Sequence, residues 1–207
     1  MQGASITQYY GASSAQGIYN EGTFNMTGGT ITGGNAVVFA GSSSGTIKDV
    51  TIKSSSSVDS AVVLADSSNI NLEYTTITNT ISGKNGLINN GSGVVRARNI
   101  NVTNNSIVGG SGKIIWIETN NSGFITRYNG AWSVGYLFPT WSANGGQDDI
   151  TWNCVKSRTR ILGTDWYVQE STWAEHKNDT GEYAVHIYRS TIDCGSIDGE
   201  ASTSFVR

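Results

Sequence analysis

The chain has 207 residues, of which 37% are hydrophobic and 14% charged, with 26 glycines, one proline and a formal net charge of -3. This is enough for one large domain or two modest ones, it lacks the clustered Lys and Arg of a nucleic-acid-binding surface, and it contains no apolar run long enough to span a membrane as a helix. Glycine with abundant Ser, Thr and Asn disfavours helix and favours short strands joined by tight turns, so the expected fold class is all-β.

The opening Met1-Gln2-Gly3-Ala4-Ser5 has neither the basic start nor the apolar core of a signal peptide. Residues 3–16 are short, polar and aromatic, with Tyr9 and Tyr10, and residues 1–16 read as a cap or attachment arm. The first coil of a stacked array presents an open apolar end that such a segment can cover.

From residue 17 the chain almost repeats itself. An apolar leader returns as Ile18, Val37, Val62, Leu87 and Ile114, and a second column follows as Met26, Ile47, Leu72 and Ala97. A third column, Ile31, Ile52, Ile77 and Val102, stands five residues after each member of the second. Three short apolar clusters per unit describe a coil with three walls. In Thr46-Ile47-Lys48, Asn71-Leu72-Glu73 and Arg96-Ala97-Arg98, one apolar residue points inward between two outward neighbours. The third column repeats the pattern with outward Thr. Residues 17–133 are therefore expected to form a right-handed parallel β-helix of four to five coils. The phrase Gly17-Ile18-Tyr19-Asn20 through Gly28-Gly29-Thr30-Ile31 resembles that architecture as it occurs in bacterial surface proteins and phage fibres. The resemblance implies a shape and no reaction.

Stacking the repeats sets Lys48, Glu73 and Arg98 side by side as an outward ladder of alternating charge, which keeps like charges apart. Asp49 then stacks with Tyr74 and Asn99, and Asn79 with Asn104 as an internal asparagine ladder that satisfies turn carbonyls. Polysaccharide cleavage needs two facing carboxylates or an Asp cluster holding calcium. Asp49, Asp59, Asp66 and Glu73 share no column. The expectation is a chain without catalytic residues, metal or cofactor.

Composition changes near residue 115. All six tryptophans lie beyond it, and charged residues number 11 before and 18 after. Pro139 interrupts Leu137-Phe138-Pro139-Thr140-Trp141, and residues 134–207 are read as a second domain. Its alternating stretches Gln147–Trp152, Trp166–Val168 and Tyr183–Tyr188 predict a small antiparallel β-sandwich. Cys154 and Cys194 can form one disulfide and are too few for a metal site. His176 and His186 read as hydrogen-bonded structural residues. Asp148 and Asp149, adjacent in a strand, point to opposite faces. Of the tryptophans, Trp152 and Trp166 are expected in the core, and Trp141 and Trp173 are the candidates for stacking against sugar rings.

Pro139-Thr140-Trp141-Ser142, Gly146 to Trp152, and His176-Lys177-Asn178-Asp179-Thr180-Gly181-Glu182-Tyr183 through Tyr188 resemble the streptococcal Bsp-like repeat. The resemblance implies a β-sandwich accessory module of Gram-positive wall-associated proteins and lysins, with no reaction attached. The chain departs from that pattern around Cys154 and at Ser190–Ser196. The function these readings imply is structural and adhesive: a phage virion fibre or tail-associated receptor-binding protein that presents a wall- or glycan-recognising tip to a Gram-positive host. Residues 1–16 would then attach to other virion proteins, and three copies would bundle into a homotrimer. The alternatives are a fragment of a bacterial cell-surface adhesin and a polysaccharide-degrading β-helix enzyme.

Overall fold

The computed structural model describes residues 1–7, 16–54 and 63–207, with the backbone alone at Leu64 and Ser196. The expectations placed on Tyr9, Tyr10, Asp59 and Val62 lie outside the described residues. The fold is all-β, and the chain divides into two compact units: Met1–Ile114 with Arg160–Thr164, and Ile115–Thr159 with Asp165–Arg207. The second unit begins at the compositional break.

The first unit is a parallel β-solenoid built from β1 (Gln2–Thr7), β2 (Gln16–Asn20), β3 (Thr23–Gly33), β4 (Asn35–Phe39), β5 (Ser44–Lys48), β6 (Thr51–Ser54), β7 (Val63–Ala65), β8 (Asn69–Glu73), β9 (Thr76–Thr78), β10 (Asn85–Asn89), β11 (Val94–Arg98), β12 (Asn101–Val102) and β13 (Ser106–Val108). One wall is the five-stranded sheet β13-β10-β7-β4-β2. The second wall stacks the first half of β3 on β5, β8 and β11, and the third stacks the second half of β3 on β6, β9 and β12.

Register confirms two of the three apolar columns residue for residue. Met26 pairs Ile47, Ile47 pairs Leu72, and Leu72 pairs Ala97. Ile31, Ile52, Ile77 and Val102 pair in the same way, and Ile6 of β1 adds a member by pairing Ile31. The first column is corrected. Val37 pairs Val63, and the column's last member is Ile107, paired with Leu87, where Ile114 had been expected. Of the expected arm, residues 2–7 are a parallel strand on the third wall.

The corner between the second and third walls shows why the columns hold. Asp49, Tyr74 and Asn99 all adopt the left-handed conformation, with φ of 54°, 49° and 49°. The Asp49 and Tyr74 amides donate to the carbonyls of Glu73 and Arg98 one coil on, at 3.0 and 2.9 Å. β3 turns the same corner at Gly28 and Gly29, φ 67° and 98°, where glycine carries no Cβ penalty. Lys48, Glu73 and Arg98 stand in adjacent register on the outside. Lys48 Nζ lies 3.6 Å from Glu73 Oε2, and the Lys48 and Arg98 cations lie 5.9 and 5.4 Å from the Tyr74 ring centre.

The asparagine ladder is real but shifted. Asn79 and Asn105 are the buried pair: the Asn79 amide donates to Asn105 Oδ1 at 2.8 Å, and Asn105 Nδ2 donates to the Ile81 carbonyl at 2.9 Å. Asn104, the expected partner, is exposed at φ 57° and makes the bend. Asn105 stands three residues after Val102 where Asn79 stands two after Ile77, so the inward position moves along by one.

Beyond β13 the elements are β14 (Lys113–Thr119), β15 (Gly123–Asn129), β16 (Gly135–Ser142), β17 (Thr151–Val155), β18 (Arg158–Ile161), β19 (Thr164–Thr172), a short 3-10 turn at Ala174–His176, β20 (Glu182–Ile192) and β21 (Ser196–Val206). β17, β16, β20 and β21 form a four-stranded antiparallel sheet in that order. β15 and β19 pair antiparallel, from Gly123 with Thr172 to Tyr128 with Tyr167. Aromatic rings fill the space between these layers. Phe124 lies 5.7 Å from Tyr183 and 5.1 Å from Phe205, Tyr128 lies 4.9 Å from Tyr136, and Tyr136 lies 4.6 Å from Tyr167. Edge-to-face contacts of this kind contribute beyond their buried area.

Candidate functional site

Strand alternation divides the four-stranded sheet into a covered and an uncovered face. On β16, Tyr136, Phe138, Thr140 and Ser142 are buried inward, which leaves Leu137, Pro139 and Trp141 on the outer face. Pairing carries that assignment across the sheet. Trp152 sits opposite Pro139, Cys154 opposite Leu137, Tyr188 opposite Leu137 and Ala184 opposite Trp141. Ser202 and Ser204 of β21 follow, opposite His186 and Ala184.

Four rings therefore meet on the outer face. Trp141 lies 4.8 Å from His186, His186 lies 6.1 Å from Tyr188, and Tyr188 lies 6.3 Å from Trp152 with the two planes only 28° apart. Trp152 and Tyr188 reach each other across the intervening β16. His186 Nδ1 and the Tyr188 hydroxyl are 3.4 Å apart. The strip offers apolar ring faces with polar edges, the combination that suits the alternating C–H and hydroxyl surfaces of a sugar ring.

Two expectations about tryptophan are corrected here. Trp173 is 3% exposed and has no free face: it packs 5.1 Å from Phe124 and 5.2 Å from Tyr183, under the Arg207 guanidinium at 4.5 Å, and its Nε1 donates to the Asn120 carbonyl at 3.0 Å. Trp152, expected in the core, is 54% exposed because β17 is an edge strand whose outer face nothing covers. Trp166 is buried, and Trp141 is half-buried on the outer face.

The ends of the strip are held by specific contacts. At one end Cys154 and Cys194 are joined, their Cα atoms 6.1 Å apart, and Lys156 pairs with Asp193 beside them. This staple ties edge strand β17 to the end of β20, passing over β16 at Gly135. A Cβ built on Gly135 would lie 3.5 Å from Cys154 Sγ, in ordinary contact with the staple.

At the other end Asp149 is buried and accepts from the Ser142 amide at 3.1 Å and the Ser142 hydroxyl at 2.7 Å. Asp179 Oδ2 lies 2.9 Å from the same hydroxyl. Asp148 is exposed and pairs with Lys177, so the two aspartates do point apart, from a turn before β17 and not from the strand itself. His176 is fully buried against Phe124 and Tyr183, with Nδ1 3.5 Å from Asp149 Oδ2 and neither ring nitrogen in a hydrogen bond. Its role is packing within this polar plug, not the hydrogen bonding expected of it. Among the described residues no group of three or more His, Cys, Asp or Glu is arranged to hold a metal ion.

Residues 128–204 match the model of the GBS Bsp-like repeat family. The Bsp-like repeat thus contains the whole outer strip, from Leu137 to Ser204. No curated protein matches the chain. Among solved structures, the chain is similar to chitinase ChiW from Paenibacillus sp. str. FPU-7, described as a bacterial cell-surface-expressed multi-modular enzyme. The identity is 11% and the TM-score 0.27, over 100% of this chain and 24% of that one, so the chain spans about a quarter of that protein's length.

Proposed function

We propose that this chain is part of a bacterial cell-surface protein of adhesive type, in which a β-solenoid carries a Bsp-like repeat that recognises wall or surface glycan. The observation that carries the reading is the outer strip of Trp141, Trp152, His186 and Tyr188. Trp152 is 54% exposed and Trp141, His186 and Tyr188 are half-buried beside it, and aromatic surface of this kind on a sheet otherwise closed over an aromatic core marks an interaction surface. The match to the Bsp-like repeat supports a wall-associated setting, which favours the cell surface over a virion fibre.

Retention of the full chain on isolated Gram-positive cell walls tests the reading. The wild-type chain is expected to sediment with walls, and the double variant Trp152→Ala/Tyr188→Ala to stay in solution. Failure of the wild-type chain to sediment sinks the proposal. Release of reducing ends or unsaturated products from the wall polysaccharide would replace it with the enzymatic alternative.

A further inference from the structure

The Bsp-like repeat's outer strip is bare of charge in a module rich in it. The outward positions from Leu137 to Trp141 on β16, at Trp152 and Cys154 on β17, from Ala184 to Tyr188 on β20, and at Ser202 and Ser204 on β21 include no Asp, Glu, Lys or Arg. Charge is confined to the two ends. Glu182 begins β20 at one, and the Lys156–Asp193 pair, which neutralises itself, closes the other. Gram-positive surfaces offer glycans of two chemistries, neutral pyranose chains and phosphate-bearing anionic polymers. A phosphate site requires convergent Lys, Arg or backbone N–H donors. This face has none of those side chains, and the amides of β16 and β20 are committed to the ladders on either side.

Resting on the adhesive reading above, we infer that the strip binds an uncharged pyranose chain through ring stacking and not an anionic wall polymer. Trp152 and Tyr188, nearly parallel, form one stacking position, and Trp141 with His186 forms a second further along the same face. The serines of β21 border the strip with hydroxyls that suit sugar hydroxyls. The staple across Gly135 fixes the strand that carries Trp152, which lowers the ordering cost of binding.

Titration calorimetry on the full chain decides the matter, with a soluble β-1,4-linked N-acetylglucosamine oligomer and a glucose oligomer of the same linkage as neutral probes and poly(glycerol phosphate) as the anionic one. At least one neutral oligomer is expected to bind, with affinity unchanged when salt is raised about tenfold, because no charge is screened. Trp152→Ala and Tyr188→Ala are each expected to weaken binding by up to about tenfold. Trp132→Ala, at a site 69% exposed and off the strip, is expected to leave it unchanged.

Salt-sensitive binding to poly(glycerol phosphate), or neutral binding indifferent to both strip variants, overturns the inference. So does a dimer that Trp152→Ala dissolves, which would make a second copy the occupant. Wall sedimentation without oligomer binding refutes the inference alone. The absence of both refutes the adhesive reading with it.

Discussion

Replacing Trp173 by alanine removes a ring that touches Phe124, Tyr183 and the Arg207 guanidinium, and it leaves a void that the surrounding strands cannot close. Trp173→Ala is expected to destabilise the second unit by about 3–5 kcal/mol. Trp152→Ala, on an open face, is expected to stay within about 0.5 kcal/mol. Urea unfolding followed by tryptophan fluorescence checks both, and equal shifts would refute the assignment of one ring to the core and the other to the surface. The two residues show where residue-level reading stops. Trp141 falls in an alternating run, Leu137 to Trp141, and its outward direction follows from pattern. Trp152 also alternates, but nothing in its own stretch says that β17 is an edge strand. Trp173 lies in a turn, where no period exists to read. The asparagine ladder failed for a related reason. Asn104 and Asn105 are the same residue type, so only the left-handed bend at Asn104, visible in three dimensions, selects the inward one.

The solenoid walls were readable where a single apolar residue stood between two polar ones, as at Ile47, Leu72 and Ile77. The first wall slipped by one because Ala61-Val62-Val63-Leu64 is continuously apolar and alternation cannot choose a register within it. In the second unit, the connection between β15 and β16 had no pattern to read, and it is held by phenols. The Tyr136 hydroxyl donates to the Ala131 carbonyl at 2.9 Å, and the Tyr167 hydroxyl donates to the Ser133 carbonyl at 2.8 Å while accepting from the Ser133 amide. The Tyr128 hydroxyl donates to Glu200 at 3.4 Å. Burial first, and then the Glu200 carboxylate, push the Tyr128 and Tyr136 phenols well above their ordinary value of 10.0. The sign follows directly. Above pH 10 the unfolded chain has released protons that the folded one retains, so stability is whole below that pH and falls as pH rises, by up to about 1.4 kcal/mol per tyrosine per pH unit. Thermal melts between pH 9 and 12 are expected to show this decline, and Tyr128→Phe to shallow it. An unchanged slope in Tyr128→Phe would show that the buried phenol does not drive the alkaline loss.

Across the whole molecule, apolar exposure is distributed unevenly between the two units. The first shows large apolar side chains to solvent only at Met1, Tyr19 and Tyr74 among its described residues, and Tyr74 already lies between Lys48 and Arg98. The outer columns of its second and third walls are Thr, Lys, Glu, Asn and Arg, with Thr30 beside Thr51 and Thr51 beside Thr76 on the third wall. Such walls are solvated and branched at Cβ, which suits a strand surface that needs no partner. The homotrimer is expected because a thin β-helix exposes apolar and edge surface, and the first wall does carry an apolar outer column that includes Tyr19, Val38, Ile88 and Val108. Exposed apolar residues gather in the second unit, at Trp132, Val134, Trp152, Ile192, Ile197 and Val206. With Val38 only 5% exposed and the other two walls polar, the chain is expected to be monomeric at micromolar concentration. Multi-angle light scattering gives the answer, and a trimer mass that persists in high salt would mean that the solenoid associates through its apolar first wall. A monomer leaves the outer strip of the Bsp-like repeat facing solvent, which is the condition a single glycan chain needs to lie along it.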